Sequence, residues 1–104
     1  RELGPGLLEQ VYEDALCIEL TERGIGFERQ KQISLQYKGH PVGNARLDLL
    51  VEDAVVVELK SVEYLMPIHQ AQTITYLKIT GNRLALLINF NVTILKDGIK
   101  RLVV

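Results

Sequence analysis

The sequence is poor in the features that mark disulfide-stabilised and membrane proteins. Its single cysteine, Cys17, cannot form a disulfide within the chain, and such usage is typical of a reducing compartment. No apolar run approaches the roughly 18 residues that a membrane-spanning helix needs, and no signal-peptide pattern is present. We therefore expect a cytoplasmic protein without a membrane partner.

An excess of positive charge is also absent. The formal net charge is −1 at pH 7, whereas a protein that binds nucleic acid usually has a positive balance. The charge therefore argues against a nucleic-acid partner. Divalent cations bound to clustered carboxylates would remove that objection, because they cancel negative charge locally.

What is present is the composition of an ordinary globular domain. Hydrophobic residues make up 47% of the 104 positions and charged residues 24%, which excludes a disordered chain. A chain of this length can bury one core without disulfides or a structural metal. We expect a single domain over residues 1–104, and the start at Arg1 rather than Met indicates a trimmed sequence.

Hydrophobic periodicity and turn residues predict two helices, over residues 7–23 and 67–80, and six short strands. The strands are predicted over residues 32–37, 45–51, 54–60, 84–90, 92–95 and 99–104. Asp97-Gly98 predicts a hairpin between the last two strands. This order indicates an α/β (or α+β) domain with a central mixed β-sheet flanked by helices.

The first predicted helix has an apolar stripe at spacings of three and four residues. The stripe consists of Leu8, Val11, Ala15 and Ile18. The charged residues set against it in the same helix include Glu13, Asp14 and Glu22. We expect the stripe to face the core and the charged residues to face solvent.

Two neighbouring strands carry acidic residues among apolar ones. Side-chain alternation predicts that Leu47, Leu49, Val51, Val55, Val57 and Leu59 share one face, and that Arg46, Asp48, Leu50, Val56, Glu58 and Lys60 share the other. Opposed residues of a hairpin share a face, so Asp48 meets Glu58 only if the connection has an odd number of residues. A three-residue loop over 52–54 gives that pair and sets Arg46 opposite Lys60. A two-residue loop sets Asp48 against Val57 instead.

Two carboxylates in register need a compensating charge, because like charges across a strand pair destabilise a sheet. A shared Mg²⁺ would supply that charge, since this ion binds proteins through one or two carboxylates. Lys60 would offset part of the negative charge of the two carboxylates or position a water. The alternative is a solvated, salt-bridged face formed by Arg46, Asp48, Glu58 and Lys60.

The predicted helices add polar residues that are candidates for the same site. His69, Gln72 and Tyr76 recur at spacings of three and four and form one stripe of the second helix. Glu9 and Tyr12 lie three apart in the first. Taken singly, these side chains fit a solvated stripe, a half-packed tyrosine and a first-turn glutamate that interacts with the helix dipole.

Together, the ordered pattern resembles the PD-(D/E)XK nuclease superfamily. The pattern consists of helical Glu9, strand Asp48, Glu58-Leu59-Lys60 as E-x-K, and Gln72 to Tyr76 as Q-x-x-x-Y. More narrowly, Gly6 to Tyr12 spells G-x-x-E-x-x-Y, the signature of the GxxExxY protein family. The proline that precedes the strand Asp in the superfamily is Leu47 here.

The resemblance implies a restriction-endonuclease-like core of αβββαβ order, here followed by a C-terminal hairpin. It implies Mg²⁺-dependent (or Mn²⁺-dependent) hydrolysis of phosphodiester bonds, with nucleic acid as partner. By position, Asp48 and Glu58 are metal ligands, and Glu9 is a further ligand or an acid that orients a ligand. Lys60 orients the attacking water or stabilises developing charge. The supporting or substrate-binding residues are Tyr12, His69, Gln72 and Tyr76.

Three functions stay open on the sequence. The first is a small nuclease that acts on DNA or RNA, which a basic patch of Arg46, Lys60 and Lys78 would favour. The second is a nuclease-like fold that binds nucleic acid or protein without turnover. The third is a homo-oligomeric structural domain with a vestigial site, which a shared apolar sheet edge would favour. For the first function we also expect a homodimer, which would double the binding surface of a small chain.

Overall fold

The computed structural model describes residues 3–104. The helices are α1 (Glu9–Glu22), α2 (Pro67–Thr80) and a 3₁₀-helix, η1 (Leu95–Gly98). The strands are β1 (Phe27–Tyr37), β2 (His40–Val51), β3 (Val55–Lys60), β4 (Leu84–Asn89) and β5 (Ile99–Val103). Within these residues, no helix combines the length and the apolar character that crossing a membrane takes.

The five strands form one mixed sheet in the order β1-β2-β3-β4-β5. Neighbouring strands are antiparallel, apart from β3 and β4, which run parallel. A parallel pair needs a crossover connection, and α2 provides it. The prediction of a central mixed sheet flanked by helices is confirmed.

Each face of the sheet has its own apolar cluster, because successive side chains of a strand point to opposite faces. The cluster on the α1 side includes Tyr12, Cys17, Leu49, Val57, Leu59, Ile88 and Phe90. The cluster on the α2 side includes Leu47, Leu50, Val56, Leu77 and Ala85. Strand β4 contributes to both clusters, as its nearly continuous apolar sequence predicts.

The connection between β2 and β3 has three residues. Val51 pairs with Val55, and Leu50 and Leu49 pair with the next two residues of β3. Glu52 and Asp53 both adopt left-handed backbone conformations, with φ of 52° and 54°, which acidic turn residues tolerate. The odd loop length is the one that sets Asp48 against Glu58.

The apolar stripe predicted for α1 does not face the core. Ile18 is 60% exposed and Leu8 78%, whereas Glu13, predicted on the solvent side, is 4% exposed. The buried side of the helix carries Tyr12, Leu16, Cys17 and Leu20. Glu13 is tolerated there because Arg29 and the side-chain amide of Gln30 both donate to its carboxylate, which satisfies a buried charge.

The strict alternation predicted along β2 is also wrong at one point. Leu47 packs in the cluster beside α2, while Leu49 packs in the cluster beside α1. The regular pairing of β1 with β2 is interrupted opposite this point, at Gln30, whose φ is 50°. The side chains of β2 just before and just after Asp48 therefore pack on different faces of the sheet.

The predicted C-terminal hairpin is absent from the described residues. Residues 92–94 are not a strand, η1 follows, and β5 pairs antiparallel with β4. Gly98 ends η1 in close contact with β4: a Cβ at this position would lie 2.1 Å from the backbone oxygen of Asn89. Glycine is needed here for this close approach rather than for a hairpin turn.

The outer part of the β1–β2 hairpin extends beyond the rest of the sheet. We call residues 31–46 the hairpin arm. Its tip pairs Tyr37 with His40 across Lys38 and Gly39, whose φ values are 49° and 79°, as in a two-residue type I′ turn. Both strands are longer than predicted, since β1 begins at Phe27 and β2 at His40.

Candidate active site

The site is built where β2 and β3 separate. The pairing of these strands, continued by one residue beyond Leu49–Val57, sets Asp48 opposite Glu58. The backbone N–H of Asp48 donates to Glu58 Oε1 at 3.2 Å, and the backbone N–H of Leu59 donates to Asp48 Oδ2 at 2.7 Å. Each carboxylate therefore takes a backbone donor of the other strand and is fixed in place.

Glu58 has an unusual environment for an acid. Its side chain is only 6% exposed. Burial, followed by the negative charge of Asp48, raises the pKa of Glu58 from 4.5 to about 8. The charge of Lys60 works in the opposite direction without cancelling the shift. Without a bound cation, the Glu58 carboxyl therefore favours its protonated, neutral form at neutral pH.

Lys60 and Tyr76 complete the surroundings of the two acids. Lys60 is half-buried and forms no ion pair within residues 3–104. Burial, and then the charges of Glu58 and Asp48, raise the pKa of the Tyr76 hydroxyl, while a hydrogen bond with the Gln72 side chain lowers it. Helix α2 therefore brings Tyr76, and Gln72 behind it, to the acid pair.

Glu9 reaches the site region from the first residue of α1. Its Oε1 accepts the backbone N–H of Ser61 at 3.3 Å, and Ser61 directly follows Lys60. The Ser61 hydroxyl donates in turn to the backbone oxygen of Leu7 at 2.9 Å. These contacts join the start of α1 to the end of β3.

Tyr12 stabilises this arrangement from the core. It is 2% exposed and stacks on Phe90, with 4.5 Å between ring centroids. Its hydroxyl donates to the backbone oxygen of Gly4 and accepts the N–H of Leu7 at 3.1 Å. The hydroxyl therefore closes the loop that leads into Glu9, in which Gly6 has a φ of 95°. Tyr12 supports the site without lying in it.

The sequence matches the profile of the PD-(D/E)XK nuclease superfamily over residues 1–102. The chain belongs to the PD-(D/E)XK nuclease superfamily. No curated protein and no solved structure matches the sequence.

Nucleases of the PD-(D/E)XK superfamily typically use divalent metal ions, so the donor set must be tested for one. Across residues 3–104, no three acidic, histidine or cysteine side chains converge as a metal cluster. Asp48 and Glu58 nevertheless fit a divalent ion, because they are adjacent hard oxygen donors, and because burial and then the charge of Asp48 raise the pKa of Glu58 in the absence of a cation. Mg²⁺ commonly binds through one or two carboxylates and retains waters.

His69 lies elsewhere. Its Nδ1 accepts the backbone N–H of Met66 at 2.9 Å, at the start of α2. This bond satisfies a donor that a helix N-terminus otherwise leaves without a partner. His69 therefore caps the start of α2 in the PD-(D/E)XK fold of this chain. Its Nδ1 bonds to Met66 and not to a residue of the acid pair.

Sequence reasoning missed two residues that shape the site. Ser61 ties β3 to α1, as described above. Asn89, which is 3% exposed, accepts the N–H of Val62 at 3.1 Å and donates to its backbone oxygen at 2.9 Å. The side chain of Asn89 thereby holds the segment that leaves β3. A polar residue at the end of the apolar run "LALLIN" was the available signal.

Proposed function

We propose that this protein is a metal-dependent nuclease that hydrolyses phosphodiester bonds of DNA or RNA. The observation that supports it most is the Asp48–Glu58 pair, in which hydrogen bonds hold two carboxyl groups side by side, and in which burial and the charge of Asp48 disfavour the charged form of Glu58 unless a cation is bound. Such a pair lowers the stability of the empty site and favours a cation. Membership of the PD-(D/E)XK superfamily gives the pair its chemical context.

In this proposal Asp48 and Glu58 hold Mg²⁺ or Mn²⁺. Glu9 supports them by accepting the N–H of Ser61 and so fixing the end of β3. A bound divalent ion supplies a Lewis acid that neutralises charge on the scissile phosphate. Lys60, which has no ion-pair partner in the described chain, orients the attacking water or stabilises the charge that develops on phosphate. Tyr76 and Gln72 hold the substrate backbone next to the acids.

Calorimetric titration with Mn²⁺ tests the metal site. We expect binding by the wild type and none by Asp48→Asn, because the substitution keeps the volume and removes the charge. Asp53→Asn is the matched control: Asp53 is an exposed turn residue with a φ of 54°, which Asn also tolerates. Equal binding by the wild type and Asp48→Asn would remove Asp48 from the site, and an unfolded Asp48→Asn protein would make its role structural.

Cleavage assays with a panel of DNA and RNA substrates test Lys60. We expect Lys60→Ala to bind Mn²⁺ as the wild type does and to lose turnover by about two orders of magnitude or more. Lys96→Ala, which removes an exposed lysine of η1, controls for the loss of one positive charge. Unchanged cleavage by Lys60→Ala would overturn the role given to Lys60.

We further infer that the chain belongs to the GxxExxY group, on the spacing of Gly6, Glu9 and Tyr12, and that it forms a homodimer. A second copy would double the substrate-binding surface of a small chain, and β5 leaves one edge of the sheet open. Light scattering at high micromolar concentration should give the mass of two chains. The mass of one chain would remove the dimer and leave the nuclease proposal standing.

A further inference from the structure

The hairpin arm begins at the candidate active site. β2 runs antiparallel to β3, so its residues before Asp48 continue past the end of β3 at Lys60. From Ser34 to Asn44, every residue apart from Leu35 is exposed. From the Gln32–Arg46 pair to the tip, the ribbon extends about 17 Å. A substrate bound at the acid pair therefore has the arm beside it.

The arm differs in charge from the rest of the molecule. Its sixteen residues contain Lys31, Lys38 and Arg46 and no acidic residue, in a chain whose net charge is −1. Lys31 pairs with Glu28 at 3.1 Å just outside the arm, so Lys38 and Arg46 are the cations that give the arm its net positive charge. Helix α1, in contrast, has five acidic residues and no Lys or Arg. The small net charge is thus a sum over acidic and basic regions, and the hairpin arm is a basic one. A basic ribbon attracts a polyanion.

One face of the arm consists of side chains that can form hydrogen bonds with base edges. Cross-strand partners share a face, and the pairs here are Gln32–Arg46 and Ser34–Asn44. The Gln36 amide donates to Ser34 Oγ at 2.8 Å on the same face. Glutamine or asparagine pairs with adenine through two hydrogen bonds in the major groove, and Arg46, at the base of the arm, is long enough to reach a phosphate at the groove edge instead.

The shape of the arm distinguishes between nucleic acids. A two-stranded ribbon fits the major groove of B-form DNA, which is about 12 Å wide. The corresponding groove of A-form RNA is too deep and narrow for side chains to read. Between Leu35 and Gln36 the pairing shifts by one residue, and such bulges increase the right-handed twist of a ribbon.

We propose that the hairpin arm binds double-stranded DNA by lying in its major groove. Lys38 and Arg46 contact phosphates at the groove edges, while Gln32, Ser34 and Asn44 face the bases. The proposal rests on the proposed nuclease function, whose substrate it narrows to duplex DNA. Binding alone tests it, since the arm acts before any bond is broken.

The experiment is fluorescence anisotropy of a labelled mixed-sequence DNA duplex, in EDTA, over a series of salt concentrations. We expect Lys38→Gln/Arg46→Gln to bind about tenfold more weakly than the wild type and to reduce the slope of log K against log salt by about 2. Neither residue forms an ion pair within residues 3–104, although Lys38 Nζ lies 5.6 Å from the Tyr37 ring centroid.

Lys96→Gln/Lys100→Gln is the matched control, because it removes the same charge from exposed residues of η1 and β5. We expect its affinity and salt slope to stay within twofold of the wild type. Equal losses in the two double variants would overturn the proposal, since binding would then depend on net charge alone. An unchanged affinity in the arm variant would overturn it as well.

The groove is tested with modified duplexes. Replacing purine N7 by carbon removes an acceptor of the major groove and should weaken binding by the wild type, while inosine in place of guanine, which alters the minor groove, should not. Duplex RNA should bind more weakly than duplex DNA. Equal binding of all duplexes would reduce the arm to a phosphate contact and overturn the groove assignment.

These results separate the two proposals. Arm-dependent binding without cleavage in Mg²⁺ would support the groove contact and remove the nuclease function. Equal cleavage by the wild type and the arm variant would support the nuclease function and remove the groove contact.

Discussion

Glu58 is the residue at which the stability of the fold and the proposed chemistry oppose each other. The fold buries its carboxyl beside Asp48, and a neutral side chain would be more stable in that position. A metal site needs the charged form of the same group. Natural proteins commonly accept lower stability at functional positions.

Glu58→Gln should therefore make the metal-free protein more stable by several kcal/mol above pH 8 and abolish Mn²⁺ binding. The pKa of Glu58 is raised in the folded state, so below 4.5 the folded and unfolded states are both protonated and the stability is complete. As pH rises from 4.5 to about 8, the unfolded chain loses this proton first and wild-type stability falls. Urea denaturation in EDTA at several pH values measures this decline.

Glu63→Gln is the control, because Glu63 is exposed. It should follow the wild type at every pH. If Glu58→Gln had the same pH dependence as the wild type, Glu58 would not carry the buried charge assigned to it.

At the scale of elements, the G-x-x-E-x-x-Y stretch positions Glu9. The Tyr12 hydroxyl closes the loop before the helix by bonding to Gly4 and Leu7, and its ring packs on Phe90 in the core. The loop therefore has a fixed position relative to the sheet. Glu9 begins the helix within reach of the Ser61 N–H.

Tyr12→Phe should keep the ring stacking and lose this closure. We expect a loss of about 1 kcal/mol in the free energy of unfolding and faster amide hydrogen exchange at Leu7 and Ser61. Tyr64→Phe removes a hydroxyl from a residue that is 70% exposed and should change neither quantity. Unchanged exchange at Leu7 in Tyr12→Phe would show that the hydroxyl does not hold the loop.

The elements also show what the sequence could and could not predict. The extent of α2 agrees with the prediction, and the three-residue loop that brings Asp48 and Glu58 together is one of the two loop lengths that the sequence left open. The orientation of α1 could not follow from periodicity. Glu13 is buried because of Arg29, sixteen residues later, and this compensation depends on tertiary contacts. The hairpin predicted from Asp97-Gly98 does not form. Gly98 instead ends η1 and lies against the backbone of Asn89.

At the scale of the whole molecule, charges of opposite sign occupy different places. Acidic residues lie along α1 and basic residues along the hairpin arm, while burial and the charge of Asp48 disfavour the charged form of Glu58 in the acid pair. A divalent ion would offset the charge of the ionised pair and stabilise the folded state as a whole, because it binds the folded site and not the unfolded chain.

Mg²⁺ should accordingly raise the thermal midpoint. At ten times its Kd the ion adds about 1.4 kcal/mol, which corresponds to a rise of about 4 °C or more for a domain of this size. Calorimetry in MgCl₂ and in NaCl of equal ionic strength measures the effect, and EDTA should reverse it. The same rise in Asp48→Asn would assign the stabilisation to another site.

The strand that carries Asp48 is also one side of the hairpin arm, and this continuity bears on how such a protein can change over evolution. Residues added to the tip in matched pairs, one to each strand, preserve the pairing below them. Insertions near Lys38 and Gly39 would therefore lengthen the ribbon without moving Asp48. The reach and sequence preference of the protein could diverge among descendants while the chemistry at its base stayed the same.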